Sequence, residues 1–436
     1  MESQNDLRRE LSLVDATMIN VGTIIGSAIF IVPSTIVLYV QSSGLAMLVW
    51  SAAGVISIFG ALSVAELSAS MPKAGGQYNY LRAAYGPVWG FLYSWAAFAV
   101  INTASIAAIA VAAASFFGYF LPLSLWEIKI LAMVSIAGLT VINALGLKAG
   151  VWFQNLFTFL KMAALVVLVI LSIFGGSIQN LDPVFYSVTG LWGPLGLAMI
   201  AALWAYDGWI EITYVAGEIK DPQRNLPLSI ILSTLIVIVI YLLVNFAYIY
   251  VLSVSAVSYS SLVGSEAAVA LIGPAGAAII TVAIMVSMIG ANNGIIFTAA
   301  RIPYALSKEH LFFKSMSEVH PKFNTPLNAL LFQGLWACAL TLTGTFDQLI
   351  TYVVFASFLF YAMSCGAVFI LRSTFPEMDR PYKTWGYPYT PVVFILFALW
   401  LVINTILEAP KDAAIGTLII LSGIPLYLYF RKKTRT

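Results

Sequence analysis

The feature that most constrains this chain is a stretch of 41 residues, 225–265, that contains no charged side chain. One helical crossing of a bilayer takes about 20 apolar residues, so this stretch is long enough to hold a membrane span with its flanks. The whole chain has 61% hydrophobic and 9% charged residues, whereas soluble domains carry about a quarter charged residues. The sequence therefore predicts an integral membrane protein made of α-helices.

Apolar runs separated by polar segments predict twelve transmembrane helices. If the N-terminus is cytoplasmic, 18 of the 21 lysines and arginines fall on inside segments, only Lys129 and Lys411 fall outside, and Lys161 lies within a span. Because cytoplasmic loops are enriched in basic residues, both termini are predicted to be cytoplasmic in a multi-pass cell-membrane protein. The predicted spans are 12–40, 44–71, 86–119, 127–146, 151–176, 191–217, 226–252, 267–308, 327–344, 348–372, 388–407 and 412–430.

Sequence motifs of soluble enzymes are missing from this chain. It contains no Walker loop, no Cys-x-x-C and no His–carboxylate cluster with metal-ligand spacing. We therefore expect no catalytic residue, no metal and no cofactor, and nothing in the charge pattern favours nucleic acid as a partner. A channel or a membrane enzyme is the competing class, and no nucleophile–base pair or metal set favours it.

Two predicted spans contain residues that interrupt a helix in lipid. The first reads NVGTIIGSAIF over 20–30 and has glycines at 22 and 26. The sixth reads LWAYDGWIEITYVAGE over 203–218 and has the turn-forming pair Asp207-Gly208, with a carboxylate deep in the span. Packing glycines, and an aspartate reaching for the interface, explain either stretch alone equally well. Both together favour two broken helices, which are tolerated only where they line a cavity or are buried in protein.

The two interrupted spans are separated by a repeat of five spans. An odd number of spans inverts the second copy relative to the first, which is typical of inverted-repeat transporters whose broken helices meet at the bilayer midplane. We therefore expect one transmembrane domain over 1–436. Repeat one covers about 12–176, repeat two about 191–372, and two extra helices cover about 388–430.

Each break frees backbone groups for a ligand. Amides at the start of the outer half-helix, around Gly26, Ser27 and Ala28, are expected to bind a carboxylate. Carbonyls near Ile24 and in the sixth span are expected to accept hydrogen bonds from an ammonium group. A site with both kinds of group suits the head of an α-amino acid. The predicted substrate-binding residues are Ile24, Gly26, Ser27, Ala28, Trp204, Ala205 and Asp207.

Lys161 lies well inside the fifth predicted span, in the run VWFQNLFTFLKMAALVVLVILSIFGG of 151–176. It is the eleventh residue of the fifth span, roughly 15 Å along a helix with a rise of 1.5 Å per residue, which is deep for snorkelling to the interface. Its ammonium group is expected to take the place of a coupling cation and to contact carbonyls of an unwound helix. Glu66, near the end of span two, and Glu211, one turn after Asp207, are weaker candidates.

Several segments resemble the amino acid–polyamine–organocation superfamily. They are GTIIGSAIF in span one, AELSASMPKAGGQYNYL after span two, AYDGW and GEIKDPQRNLP in span six, and GANNGIIFTAARIPYALSKEHLFF in span eight. Within that superfamily the chain is most similar to the L-type amino acid transporter family, particularly its bacterial members, over essentially its whole length.

The resemblance implies a LeuT-like fold with five-plus-five inverted repeats, discontinuous helices 1 and 6, and two helices outside the core. It also implies sodium-independent, one-for-one exchange of neutral L-amino acids across the lipid bilayer. Carried over by motif position, the amides of Ser27 and Ala28 bind the carboxylate, and Lys161 matches a family lysine. Tyr241 matches a tyrosine in span seven, and Trp204, Lys161 and Tyr241 are the expected gating and coupling residues.

Three departures from the family pattern bear on substrate and partner. Ala28 replaces a usual glycine and narrows the site slightly. Trp204 replaces a frequent phenylalanine, which favours smaller substrates, although tryptophan also occurs here in relatives that exchange arginine. The segment 117–127 has no cysteine for a disulfide-linked heavy chain, so none is expected. A proton-coupled symporter and an arginine or polyamine antiporter remain open as alternatives.

Overall fold

The predicted all-α fold class is confirmed by the computed structural model, which describes residues 7–185, 192–260, 262–343 and 346–435. The first ten helices are α1 (Leu13–Ile24), α2 (Ala28–Val40), α3 (Ser43–Ser70), α4 (Gln77–Tyr85), α5 (Pro87–Ala96), α6 (Asn102–Phe117), α7 (Leu125–Ala144), α8 (Leu147–Gly175), α9 (Trp192–Ala205) and α10 (Pro222–Val251). The others are α11 (Val254–Tyr259), α12 (Val263–Ile272), α13 (Ala275–Ala299), α14 (Arg301–Lys308), α15 (Leu327–Thr343), α16 (Phe346–Thr374), α17 (Tyr389–Glu408), α18 (Pro410–Leu421) and α19 (Gly423–Arg435).

Within the described ranges, nine helical segments are long and apolar enough to cross a bilayer, and the bent pair α1–α2 makes a tenth if it is one span. The predicted sixth and ninth spans correspond to shorter apolar helices, α9 and the part of α15 that ends at Leu342. The sixth continues beyond a break as the 3-10 helix Glu211–Glu218. Residue 191, where the sixth span was expected to begin, lies outside the described residues.

One predicted boundary is wrong. The expected eighth span, 267–308, is divided into α12 and a long segment made of α13 and α14. The division falls at Gly273 and Pro274: Gly273 has φ +75°, and Pro274 is the N-cap of α13. Glycine tolerates a positive φ, and proline has no amide hydrogen to continue a helix. The hydrophobic run therefore continues through a turn that ends the helix.

Local sequence chemistry explains where the first helix begins. Ser12 caps α1: its Oγ accepts from the amide of Asp15 at 3.2 Å, and the Asp15 carboxylate accepts from the Ser12 amide at 2.9 Å. This reciprocal capping box satisfies two amides that an uncapped helix leaves without partners. The start of α1, and with it the register of its break, is thereby defined.

Tertiary packing places both interrupted spans at the centre of the bundle. Helix α1 packs against α8, α10 and α13, α2 packs against α9, and α3 lies along α10. Trp50 of α3 makes edge contacts with Tyr206 and Tyr241 at ring-centroid distances of 5.8 and 5.5 Å. The aromatic group supports the second break from the side of α3 and α10.

Candidate functional site

The first span is broken between Ile24 and Ala28, where α1 and α2 meet at 46°. Gly26 lies in the break, and the nearest heavy atom to a β-carbon built on it is 3.9 Å away. Gly22, by contrast, lies inside α1, and a β-carbon there would be 2.1 Å from Gln154 Nε2 of α8. The expectation that both glycines unwind the helix is therefore wrong for Gly22, which permits close packing of α1 on α8.

The second break follows α9 and turns through residues 206–210. Gly208 has φ +109°, and a β-carbon on it would be 3.3 Å from the Ile24 nitrogen. The Asp207 carboxylate accepts a hydrogen bond from the Gly208 amide at 2.9 Å, and Asn20 of α1 donates to the Trp209 carbonyl at 3.0 Å. A glycine is needed here both for the backbone conformation and for the close approach of the two breaks.

A cavity of about 90 Å³ lies between the two breaks. All seven residues predicted to bind substrate are in its wall. The described residues that line it are Thr23, Ile24, Gly26, Ser27, Ala28, Ser105, Ile109, Trp204, Ala205, Asp207, Gly208, Glu211, Ile295 and Val353. The cavity is small beside ligand pockets of roughly 300–1,000 Å³, so it suits a small ligand.

The cavity offers a hydrogen-bond donor region on the side of the first break. Ser27 is the N-cap of α2, and Ala28 is its first residue. The first amides of a helix have no partner within the helix and carry a partial positive charge, so this end attracts an anion. The Gly26 amide is already used, since it donates to the Ile24 carbonyl at 3.0 Å. Of the amides expected to bind a carboxylate, those of Ser27 and Ala28 therefore remain the candidates.

The carbonyls on the cavity wall already accept hydrogen bonds from the protein. The Tyr241 hydroxyl shares its single hydrogen between the carbonyls of Ile24 at 3.2 Å and Ala205 at 3.1 Å. The Trp204 carbonyl accepts from the Asp207 amide at 3.1 Å. Each carbonyl oxygen has a second lone pair, so these groups can also accept from a ligand. Tyr241 joins the two breaks directly.

Lys161 of α8 lies against the first break and is 1% exposed. Its Nζ donates to the carbonyls of Gly22 at 2.8 Å, Ile25 at 2.6 Å and Ser287 at 3.2 Å. The Ser287 hydroxyl of α13 shares its single hydrogen between the carbonyls of Ile25 at 3.2 Å and Gly26 at 2.9 Å. One ammonium and one hydroxyl therefore tie the unwound segment to two neighbouring helices.

Two carboxylates reach the same cavity from the second break. Asp207 accepts from the Tyr361 hydroxyl at 2.8 Å, and Glu211 accepts from the Thr298 hydroxyl at 3.1 Å. Within the described part of the chain neither carboxylate forms an ion pair. Glu211 was only a weaker candidate from sequence, yet it lines the cavity directly.

Glu66 lies outside the cavity and is bound by two arginines. Its carboxylate accepts from Arg372 at 2.8 and 2.6 Å and from the Thr384 amide at 2.6 Å, and Arg380 lies 3.6 Å away. It is not in the wall of the cavity between the breaks. Glu66 therefore links α3 to the end of α16 and to the segment before α17.

The sequence reasoning missed several wall residues and one buried ion pair. Ile109 of α6, Ile295 of α13 and Val353 of α16 line the cavity but read as ordinary apolar residues of their spans. Arg301 and Glu218 are both fully buried, with Nε to Oε1 at 2.6 Å and Nη2 to Oε2 at 2.9 Å. This pair joins α14 to the end of the 3-10 helix that begins at the cavity.

Comparisons with known proteins agree on one family. A family profile described as amino acid permease matches residues 11–430. The serine/threonine exchanger SteT of Bacillus subtilis (strain 168) is 33% identical over 436 residues, covering 98% of this chain and 98% of that protein. The b(0,+)-type amino acid transporter 1 of Mus musculus is 33% identical over 434 residues, covering 97% of this chain and 88% of that protein. The human cystine/glutamate transporter is 29% identical over 432 residues, covering 97% of this chain and 85% of that protein.

Proposed function

The chain belongs to the amino acid permease family, and on that premise we propose that it is a sodium-independent exchanger of small neutral L-amino acids. As a member of this family it is a multi-pass membrane transporter and not an enzyme. In the proposed mechanism the cavity between the two breaks opens alternately to each side of the membrane and carries one amino acid in each direction.

The observation that carries this proposal is the meeting of two helix breaks at one cavity. The start of α2 would bind the α-carboxylate of the substrate through the amides of Ser27 and Ala28. The carbonyls of Ile24 and Trp204, on the two breaks, would accept from the α-ammonium group. Because the recognition groups belong to the backbone, the head group common to all amino acids is the part they select.

The size of the cavity supports a small side chain. About 90 Å³ leaves little room beyond the head group, and the Trp204 indole occupies part of the wall. One relative with nearly full coverage in both directions is a serine/threonine exchanger. These observations favour substrates the size of serine, threonine or alanine.

The position of Lys161 supports sodium independence. In related folds a sodium ion is coordinated by carbonyls of unwound helices. Here the Lys161 ammonium lies within 2.8 Å of two such carbonyls, those of Gly22 and Ile25. A fixed cation stabilises the break without an ion gradient. Because no ion flows with the substrate, no ion gradient drives accumulation of the amino acid, and one-for-one exchange is the transport mode that fits.

The two carboxylates in the cavity support a second candidate class. Asp207 and Glu211 are partly buried beside the substrate position without an ion-paired cation among the described residues. A proton carried with a neutral substrate would compensate their charge, and so would a cationic substrate such as arginine or a polyamine. A polyamine, however, would leave the amides at the start of α2 without an anion.

Transport by purified protein in liposomes distinguishes these classes. Vesicles loaded with unlabelled L-serine should take up labelled L-serine quickly, and empty vesicles should take up little, with sodium and a proton gradient varied separately. Ethanolamine, which is serine without its carboxylate, should compete poorly. Uptake into empty vesicles driven by an inward proton gradient would favour symport, and preferential uptake of arginine or diamines would favour the cationic alternative. Dependence on sodium would contradict both the proposed mechanism and the role given to Lys161.

We also propose that the transporter has cytoplasmic termini in the cell membrane and needs no disulfide-linked partner. Cys365 is buried in α16, and Cys338 is partly buried in α15. Neither cysteine belongs to the segment between α6 and α7, where the resemblance would place a linking cysteine. Electrophoresis without reductant should show the chain at its own mass, and cysteines introduced at either terminus should react with an impermeant reagent only from the cytoplasmic side.

A further inference from the structure

A second cavity, of about 450 Å³, lies away from the substrate site, between the segment after α14 and the last helix, α19. Its size is within the roughly 300–1,000 Å³ range of small-molecule sites. Lys314 and His310 line it from the first of these elements, and Lys433 lines it from α19. None of the described residues in its wall is acidic.

We propose that this cavity binds the headgroup of an anionic phospholipid of the cytoplasmic leaflet. Basic pockets between transmembrane helices on this side of a membrane recognise phosphate headgroups. Glu309, which precedes His310 in the chain, does not line the cavity and is ion-paired with Arg82 at 2.5 Å. That hydrogen bond also raises the pKa of the Arg82 guanidinium.

The aromatic residues of the pocket favour a lipid over a free phosphate ion. Phe312 and Phe430 are buried in its wall, with ring centroids 5.8 Å apart. Phe313 and Tyr429 are 52% and 60% exposed at its edge. Tyrosine is enriched at membrane–water interfaces, where its ring meets acyl chains and its hydroxyl meets headgroups, and the phenylalanine rings add apolar surface beside it. A free phosphate would gain nothing from the apolar edge.

The pocket is built from ordered elements. The Ser307 hydroxyl donates to the Phe313 carbonyl at 2.7 Å, and the Asn328 side chain donates to the Ser315 carbonyl at 2.9 Å. Tyr429 and Lys433 are four residues apart in α19 and therefore lie on one face of that helix. The aromatic edge and the lysine consequently follow each other along the axis of α19, in the order in which the acyl region and the headgroup of a lipid follow each other.

A pair of matched double variants tests this assignment. Lys314→Gln with Lys433→Gln removes the two pocket lysines, and Lys322→Gln with Lys432→Gln removes two lysines of the same region that do not line the cavity. Both variants lose the same net charge. Binding is measured by thermal unfolding of the full-length protein in nonionic detergent, titrated with dioleoylphosphatidylglycerol, dioleoylphosphatidylcholine or inorganic phosphate, and by native mass spectrometry of retained lipid.

We expect phosphatidylglycerol to stabilise the wild type and to be retained, with its apparent affinity falling roughly thirtyfold in the pocket variant and less than about threefold in the control. Tyr429→Ala keeps both pocket lysines and should still weaken lipid binding. This variant tests the pocket independently if the double lysine variant is unstable. Equal losses in both double variants would overturn the proposal, since that result means a diffuse surface attraction. Equal stabilisation by phosphatidylcholine, or by inorganic phosphate, would overturn it as well.

Discussion

Replacing Lys161 by methionine removes the ammonium group and keeps most of the side-chain length. The amide of Gly26, which would serve the Gly22 carbonyl in a continuous helix, donates to Ile24 instead at 3.0 Å. The Lys161 ammonium therefore serves as the partner of the Gly22 carbonyl at 2.8 Å. The Ile25 carbonyl still shares the single Ser287 hydroxyl hydrogen, at 3.2 Å, with the Gly26 carbonyl at 2.9 Å, and the Ser287 carbonyl lies within α13.

The variant is thus expected to leave one buried carbonyl, that of Gly22, without a partner. A buried polar group in this condition costs about 1–3 kcal/mol, which shifts the population of the binding-competent break by roughly 5- to 150-fold. The measurement is exchange in proteoliposomes, with KM and kcat determined separately, beside unidirectional efflux into substrate-free buffer. We expect KM to rise about tenfold and efflux without exchange to increase.

Lys148→Met is the matched control, because Lys148 is on the same helix and its side chain is 92% exposed. It should leave both assays unchanged. A size-exclusion profile like that of the wild type shows that the Lys161 variant is folded. Wild-type KM together with wild-type efflux in the folded variant would refute the reasoning and leave Lys161 as a structural residue only.

Three further predictions follow from the contacts of the cavity and of the buried ion pair. Trp204→Ala should enlarge the cavity and weaken discrimination between serine and bulkier competitors such as leucine, measured by competition for labelled serine; unchanged selectivity would place the indole outside the substrate path. Glu211→Gln keeps the shape of the side chain and removes its charge. Any dependence of the exchange rate on pH that comes from this carboxylate should therefore be lost, and an unaltered pH profile would argue against a transported proton at this position. Arg301→Met should cost about 3–5 kcal/mol by leaving Glu218 buried and unpaired, seen as a lower melting temperature, and combining it with Glu218→Met should recover much of that loss; a double variant no more stable than the single would show that packing dominates.

The sequence by itself determined the features that depend on local chemistry. A long run without charge requires a membrane environment, whatever the helices pack against. Turn-forming residues and a carboxylate inside such a run mark the two breaks, because lipid cannot satisfy exposed backbone groups. Lys161 stands out for the same reason, since a charge at that depth needs specific partners.

Only the tertiary structure decided which residues share the cavity and what each glycine does. Gly22 and Gly26 look equivalent in the sequence, but a side chain of α8 lies against one, and the other lies in the break. Ile109, Ile295 and Val353 cannot be told from lipid-facing residues in sequence, because the rotation of each helix against its neighbours determines which side faces inward. Arg301 and Glu218, 83 positions apart, meet only after the second break has brought its 3-10 helix against α14. Their ion pair depends on long-range packing, and no local sequence pattern predicts it.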